Sequence, residues 1–413
     1  MIRLPTVHLS APHPRASARL ALVACLALVA GLLLVPSPAR AAPAAPWSPQ
    51  AGVTFNDPLG GRGAQRRILR TLVKSIDRAP AGSAIRFASW NIRGATIVDA
   101  LVRAHRRGVG VRVVLDRGNA GPRNPNLQVD RLERALGRHG NAARPGYLQS
   151  GVRRCIGSCR GTSGIPHSKF VALSQSGAAR RVVVNTSANA TDLAADSQWN
   201  DAYTLVGDRV LYEAFTAVFD QMWLDRPVDQ GYVVARSGGT TAMFYPYAGA
   251  RTGVDPVVRE LRRVRCRGAR NQPGGRTRIR IAMTSWHGAR GTTIARKVRR
   301  LATRGCDVRI VYAVAGDEVL RILRRGGPRP VPVRQVVQDP DGDGVYDRYL
   351  HAKVLTIKGH YRQQRRATVT LNGSANFSPA VLASDEVVLR ISAGSVLRRY
   401  NAWIDRLYRH PKL

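Results

Sequence analysis

"AIRFASWNIRGATIVDALVRAHRRGVGVRVVLD", residues 84–116, reads as strand, helix and strand in succession. A short apolar strand ends near Trp90. Ile97, Leu101 and Ala104 then recur at i, i+4 and i+7, the period of one helix face. Gly108 stops the helix where a left-handed residue would close its last turn, and the β-branched "VRVVL" follows. A unit of this length implies a right-handed crossover within a largely parallel sheet.

The unit occurs twice. "RIRIAMTSWHGARGTTIARKVRRLATRGCDVRIVYA" (278–313) repeats the strand ending near a Trp (Trp286), the helix (Ile294, Val298, Leu301), the Gly stop (Gly305) and the second strand, "VRIVY". Each copy leads to a second matched pair of signals. "IPHSKFVAL" (165–173) and "YLHAKVLTI" (349–357) both place His, a spacer and Lys before an apolar run. Then "NTSANAT" (185–191) and "NGSANFS" (372–378) close a further strand with Ser-x-Asn. The chain is therefore a tandem repeat of one α/β unit. Stretches rich in Gly and Pro at 236–256 and 268–277 mark the join and a loop early in the second copy. The expected organisation is a leader over 1–41, a first unit over 42–235 and a second over 236–413.

The doubled signals suit one chemistry. The anionic oxygens of a phosphodiester repel nucleophiles, so positive donors must neutralise them as the transition state forms. Lys169 and Lys353 offer point charges, Asn189 and Asn376 offer amide donors, and Ser187 and Ser374 add hydroxyls or fix the turn. One imidazole can attack phosphorus and a second, protonated, can donate to the leaving oxygen. His167 and His351, one from each copy, supply both roles without a metal or other cofactor. His105, His139, His287, His360 and His410 lack the repeated context and read as structural.

This constellation resembles the phospholipase D superfamily, whose signature is His-x-Lys-x4-Asp followed by Gly-Ser-x-Asn. The resemblance spans roughly 53–407 and implies two α/β sandwich units sharing one active site at their interface, with His167 as nucleophile and His351 as general acid. It departs from the signature at Ser174 and Lys358, which replace the motif Asp, and at Thr186, which replaces a Gly kept as Gly373 in the second copy. The carboxylates that orient the histidines in that family lie further along, where this chain has Asp201 in "QWNDAY" and Glu386 in "ASDEVV". Trp90 and Trp286 are expected to pack at strand ends, with a head-group pocket as the other role open to them.

Bulk properties set the context. A chain of 413 residues with 44% apolar content can bury a core in two domains. "LALVACLALVAGLLLV" (20–35) follows only basic residues and precedes Ala39-Arg40-Ala41, the pattern of an export leader. It is shorter than the about 20 residues a spanning helix needs. Four cysteines then remain. Pairing within each half gives Cys155–Cys159 and Cys266–Cys306, and the other two connectivities stay open. The leader holds four arginines and no acid, so the remainder carries 61 basic against 26 acidic groups, or +35. That charge attracts polyanions or anionic membranes, although only six of the 65 basic residues are Lys, a bias that GC-rich codons also produce. "DPDGDGVYD" (339–347) resembles the opening of a calcium loop through Asp339, Asp341 and Asp343, but has Leu350 where a bidentate Glu belongs.

The expected protein is a secreted, extracellular monomer acting on phospholipid at a membrane surface, releasing phosphatidate and an alcohol. A secreted nuclease of the same superfamily, acting on nucleic acid, and a non-catalytic polyanion-binding relative are the alternatives.

Overall fold

The computed structural model describes residues 47–247, 254–325 and 330–413. The leader expected over 1–41 lies outside the described residues. In the first half the strands are β1 (Gly52–Phe55), β2 (Ala84–Ala88), β3 (Gly110–Asp116) and β4 (Gly151–Cys155). After them come β5 (Phe170–Ser176), β6 (Ala179–Thr186), β7 (Gln198–Trp199) and β8 (Asp201–Val206). All but β7 form one sheet in the order β1-β8-β6-β5-β2-β3-β4.

The second half supplies β9 (Val233–Ser237), β10 (Thr240–Phe244), β11 (Val264–Arg265), β12 (Arg278–Trp286), β13 (Asp307–Ala315) and β14 (Val333–Gln335). It continues with β15 (Val337–Gln338), β16 (Arg348–Leu350), β17 (Lys353–Tyr361), β18 (Gln364–Gly373) and β19 (Val387–Ile391). Its sheet runs β14-β13-β12-β17-β18-β19-β10-β9, which from β10 to β14 repeats the order of the first and adds β9 at the edge and β11 on β17. β9 spans the expected join at 235–236 and belongs to the second sheet.

The repeated strand–helix–strand unit is as read. β2 and β3 are parallel, as are β12 and β13. Gly108 and Gly305 adopt φ of 90° and 97° just past the connecting helices. The sheets, however, are mixed rather than largely parallel. Only two residues, Gly177 and Ala178, join β5 to β6, and only Arg362 and Gln363 join β17 to β18, so each His-x-Lys strand turns straight back on itself.

The helices are α1 (Arg62–Gln65), α2 (Arg67–Asp77), α3 (Ala95–Arg106), α4 (Leu127–Leu136), α5 (Asp192–Asp196), α6 (Arg209–Leu224), α7 (Pro256–Arg262), α8 (Gly288–Thr303), α9 (Asp317–Arg324) and α10 (Gly394–Arg409). Strand alternation sorts side chains between cores. In β5, Val171 and Leu173 face α2 and α3, whereas Phe170 and Ala172 face a central core built with α6 and α10. That core draws on both halves: Phe215 of α6 meets Phe170 and Phe244 edge to face at 5.0 and 4.9 Å, while Tyr400 and Trp403 of α10 pack on Phe55 of β1. Burying each such ring contributes about 1.5–3 kcal/mol. A third core lies between the second sheet and helices α7 to α9.

A three-stranded ribbon, β15-β16-β7, also crosses between halves, with β16 parallel to β7. Among the described residues, no helix is long and apolar enough to cross a membrane. The disulfides are Cys155–Cys159 and Cys266–Cys306.

Candidate active site

Both His-x-Lys segments enter their sheets at the end where β2 and β12 finish, since Phe170 pairs with Ala88 and Lys353 with Met283. The Ser-x-Asn turns leave β6 and β18 at that same end. Two short bridges then join the halves. Pro166 bridges Asp385, and the His167 N–H donates to the Asp385 carbonyl at 2.9 Å. Correspondingly, the His351 N–H donates to the Trp199 carbonyl at 2.9 Å. Each histidine is thus held by backbone of the opposite half.

The side chains follow suit. His167 Nδ1 lies 2.9 Å from Glu386 Oε1, and His351 Nδ1 lies 3.1 Å from Asn200 Oδ1. The Asn200 amide nitrogen donates to the Ala194 carbonyl at 3.0 Å, which turns its oxygen toward His351 and the Ser187 hydroxyl. An amide oxygen only accepts, so Nδ1 of His351 carries the proton and Nε2 is left for chemistry.

Asp201 was expected in that place and is not there. Its carboxylate accepts from Asn372 Nδ2 at 3.0 Å and Tyr400 Oη at 2.6 Å, tying the first half to β18 and α10. The backbone register explains the offset. The Ser187 N–H donates to the Asp201 carbonyl as the Ser374 N–H donates to that of Val387, so Glu386 matches Asn200 rather than Asp201. In sequence "WND" and "SDE" align acid to acid, Asp201 on Glu386; only the ladder shows that the true match is shifted by one residue.

The lysines are buried, Lys169 at 1% and Lys353 at 4% exposure, and each donates to the carbonyl of its own motif histidine at 2.5 and 2.6 Å. Burial pulls the Lys169 ammonium down to about 7, with the Glu386 charge opposing. Burial and then the Lys169 charge hold Lys353 well below its ordinary value. Burial also lowers His167, opposed by Glu386; for His351, the charges of Lys353, Lys169 and His167 add to burial and hold it well below. Burial alone would raise Glu386, but His167 and Lys169 outweigh it and keep the carboxyl ionised. Four basic groups crowd one dry space. An entering anion would relieve all of them.

Asn189 and Asn376 sit on the two turns with their Oδ1 atoms buried and unpartnered. Beneath Asn376, Arg290 donates to its carbonyl at 2.6 Å and pairs with Asp255 at 2.6 Å. The signature departures are accommodated. Ser174 Oγ accepts from the Ala84 N–H at 2.9 Å, the Thr186 hydroxyl donates to the Asp201 carbonyl at 2.7 Å, and a Cβ on Gly373 (φ 152°) would lie 2.1 Å from the Val387 carbonyl oxygen. Lys358 lies on β17 opposite Arg278.

Trp286 packs against Phe377, as expected of a strand end. Trp90 does more: its ring is 5.9 Å from that of His167, and its Nε1–H donates to Asp116 at 3.2 Å. Asp116 also lines a cavity of about 570 Å³ together with Arg117, Pro122, Arg123, Ile156 and Ile165; His167 itself is not part of its wall. In the acidic loop, ligand atoms of Asp339, Asp341 and Asp347 lie within 4.8 Å of one another, whereas Asp343 accepts from the Val345 N–H.

Comparison with known proteins bears on the family and the fold. A family profile described as "Cardiolipin synthase, PLD-like domain" matches residues 72–223 and 274–408. No curated protein matches the chain by sequence. Among solved structures, phosphatidylserine synthase from Haemophilus influenzae Rd KW20 superposes with a TM-score of 0.56 at 13% identity, over 88% of each chain. Polyphosphate kinase from Porphyromonas gingivalis superposes with a TM-score of 0.55 at 11% identity, over 87% of this chain; the chain spans only 50% of that kinase. At these identities the likeness is one of fold.

Proposed function

From the premise that the chain belongs to the family of cardiolipin synthase, phospholipase D-like domains, a superfamily of phosphodiester-acting enzymes, we propose that it hydrolyses the head-group phosphodiester of glycerophospholipids through a phosphohistidine. In this reading Nε2 of His167 attacks phosphorus while Glu386 holds Nδ1–H and stabilises the cation that forms. Lys169, Lys353, Asn189 and Asn376 neutralise the phosphoryl oxygens. His351, protonated once the phosphate charge has entered, gives its Nε2 proton to the departing alcohol oxygen. That step leaves phosphatidyl-His167 and free alcohol. Water then attacks phosphorus, His351 takes its proton, and phosphatidate leaves. Ser187 and Ser374 hold the orienting strands, through N–H donations from Asp201 and Val387 to their hydroxyls at 3.0 Å each.

The unequal backing of the two histidines carries the assignment of roles. The imidazole paired with a carboxylate becomes the better nucleophile and the more stable cation, while the one paired with an amide releases its proton more readily. The family description supports a lipid phosphodiester, and the hollow near Trp90, where Pro122, Ile156 and Ile165 lie with Arg117 and Arg123, suits an amphipathic substrate with an anionic head. Two disulfides suit an oxidising compartment, and so export.

The test is phosphatidate release from neutral phosphatidylcholine vesicles by the wild type and by His167→Ala. Release that the substitution abolishes supports the reading. Absence of release, with plasmid nicking that His167→Ala removes, makes the protein a nuclease instead.

A further inference from the structure

At the opposite end of the second sheet from the histidines, the β17–β18 turn forms one wall of a cavity of about 760 Å³. Eight residue steps of β17 separate this turn from Lys353, about 26 Å at about 3.3 Å per residue. Arg262, Arg263, Arg265, Arg362 and Arg390 line the cleft with Gln363 and Gln364, and no carboxylate does. Only Arg263 has an acidic partner among the described residues, Glu260 at 2.6 Å. Some arginines elsewhere are compensated, as Arg86 is by Asp220, Arg103 by Asp77 and Arg280 by Asp307; the cleft is set apart because five arginines converge on one hollow.

The cleft also continues on both sides. A hollow of about 430 Å³ shares Gln363 and Gln364 and adds Arg365 and Arg366. Another, of about 230 Å³, shares Arg262 and adds Arg300 and Arg296, the latter paired with Glu318 at 2.9 Å. Burial, and then the charges of Arg304, Arg300 and Arg262, lower the Lys297 ammonium beside it. Such a row of like charges is self-repelling until an anion lies along it. Its extent suits a chain of phosphates rather than a single one. The one aromatic of the cleft, Tyr361, is 2% exposed and has no face to offer a base.

We propose that this arginine track is a second binding site, separate from the catalytic one, for a linear polyanion with repeating phosphates, held through its backbone without regard to sequence. Guanidinium forks suit phosphate oxygens, and the Gln363 and Gln364 amides add neutral donors. The proposal holds whichever diester the catalytic site cleaves.

Binding of a labelled 30-nucleotide single-stranded DNA to the full His167→Ala chain, titrated against salt, tests it. Adding Arg262→Ala, Arg265→Ala and Arg362→Ala, all at exposed positions, should weaken binding at least tenfold and lower the slope of log affinity against log salt by about 2. Removing equal charge from the first half through Arg62→Ala, Arg134→Ala and Arg209→Ala should change affinity less than threefold. Inorganic polyphosphate should compete at equal phosphate, as a backbone site requires; DNA that resists this competition yet depends on the track would overturn the claim of phosphate-only recognition. Equal losses in both triple variants, or unchanged binding in the track variant, would overturn the site. In the chain with His167 intact, the track variant should release phosphatidate at the wild-type rate; loss of that activity would show the track to be part of the catalytic site.

Discussion

At the scale of the residue, His167 and His351 look alike in sequence and differ in structure, because one faces the Glu386 carboxylate and the other the Asn200 amide. Glu386→Gln should therefore lower kcat on the order of 10³-fold or more without unfolding the chain; a loss confined to KM would contradict the assigned role. Asn200→Asp should raise the pKa of His351 and move the falling, alkaline limb of kcat/KM to higher pH, as a pH profile would show. Lys169 links stability to function. Its pKa is about 7 in the fold against an ordinary 10.5, so the folded state is disfavoured by the full shift below pH 7 and freed of it above 10.5. Lys169→Met should abolish turnover yet raise Tm at pH 6, with a gain that shrinks as pH climbs from 7 toward 10.5; a fall in Tm at pH 6 would refute the sign. The motif spacing made His167, Lys169, Ser187, Asn189 and their partners legible in the sequence. Asn200 was not legible, because a neutral amide beside an acid draws no attention until the hydrogen-bond ladder fixes the register.

Among the elements, the strand–helix–strand units were readable from a helical period of apolar residues between β-branched runs. The ribbon of β7, β15 and β16 was not, since strands of two or three residues carry no period. Nor did any motif announce α6 and α10, which earn their place through the apolar faces they press into the central core. The two disulfides differ in what they constrain. Cys266–Cys306 spans 40 residues and Cys155–Cys159 spans 4, which by loop entropy gives about 4 against about 2 kcal/mol. The short one, however, closes a loop whose Ser158 hydroxyl and Cys159 N–H both donate to Asp385, at 2.9 and 2.6 Å, next to Glu386. Replacing Cys266 and Cys306 by Ser should thus lower Tm more than kcat, and replacing Cys155 and Cys159 should lower kcat more than Tm. Paired melting curves and vesicle assays would check both, and the reverse order would sever the loop from the site.

On the scale of the whole molecule, the duplication was plain in the sequence but the exchange of support across the seam was not. Each half orients the histidine of the other, so cutting the chain between Asp225 and Gly231 should leave activity only while the fragments stay associated. Turnover that persists on dilution past their dissociation would refute the shared site. In the proposed mechanism the positive charge comes from side chains, so EDTA should leave phosphatidate release unchanged, as a direct assay would show. The crossed support has a consequence for descent as well. Two identical chains meeting about a two-fold axis must back both imidazoles with the same residue. Joining the copies in one polypeptide removes that obligation, and the Glu386–Asn200 difference is the mark of its removal. Within one polypeptide the two ends of the proposed reaction are free to differ, as a symmetric pair's could not.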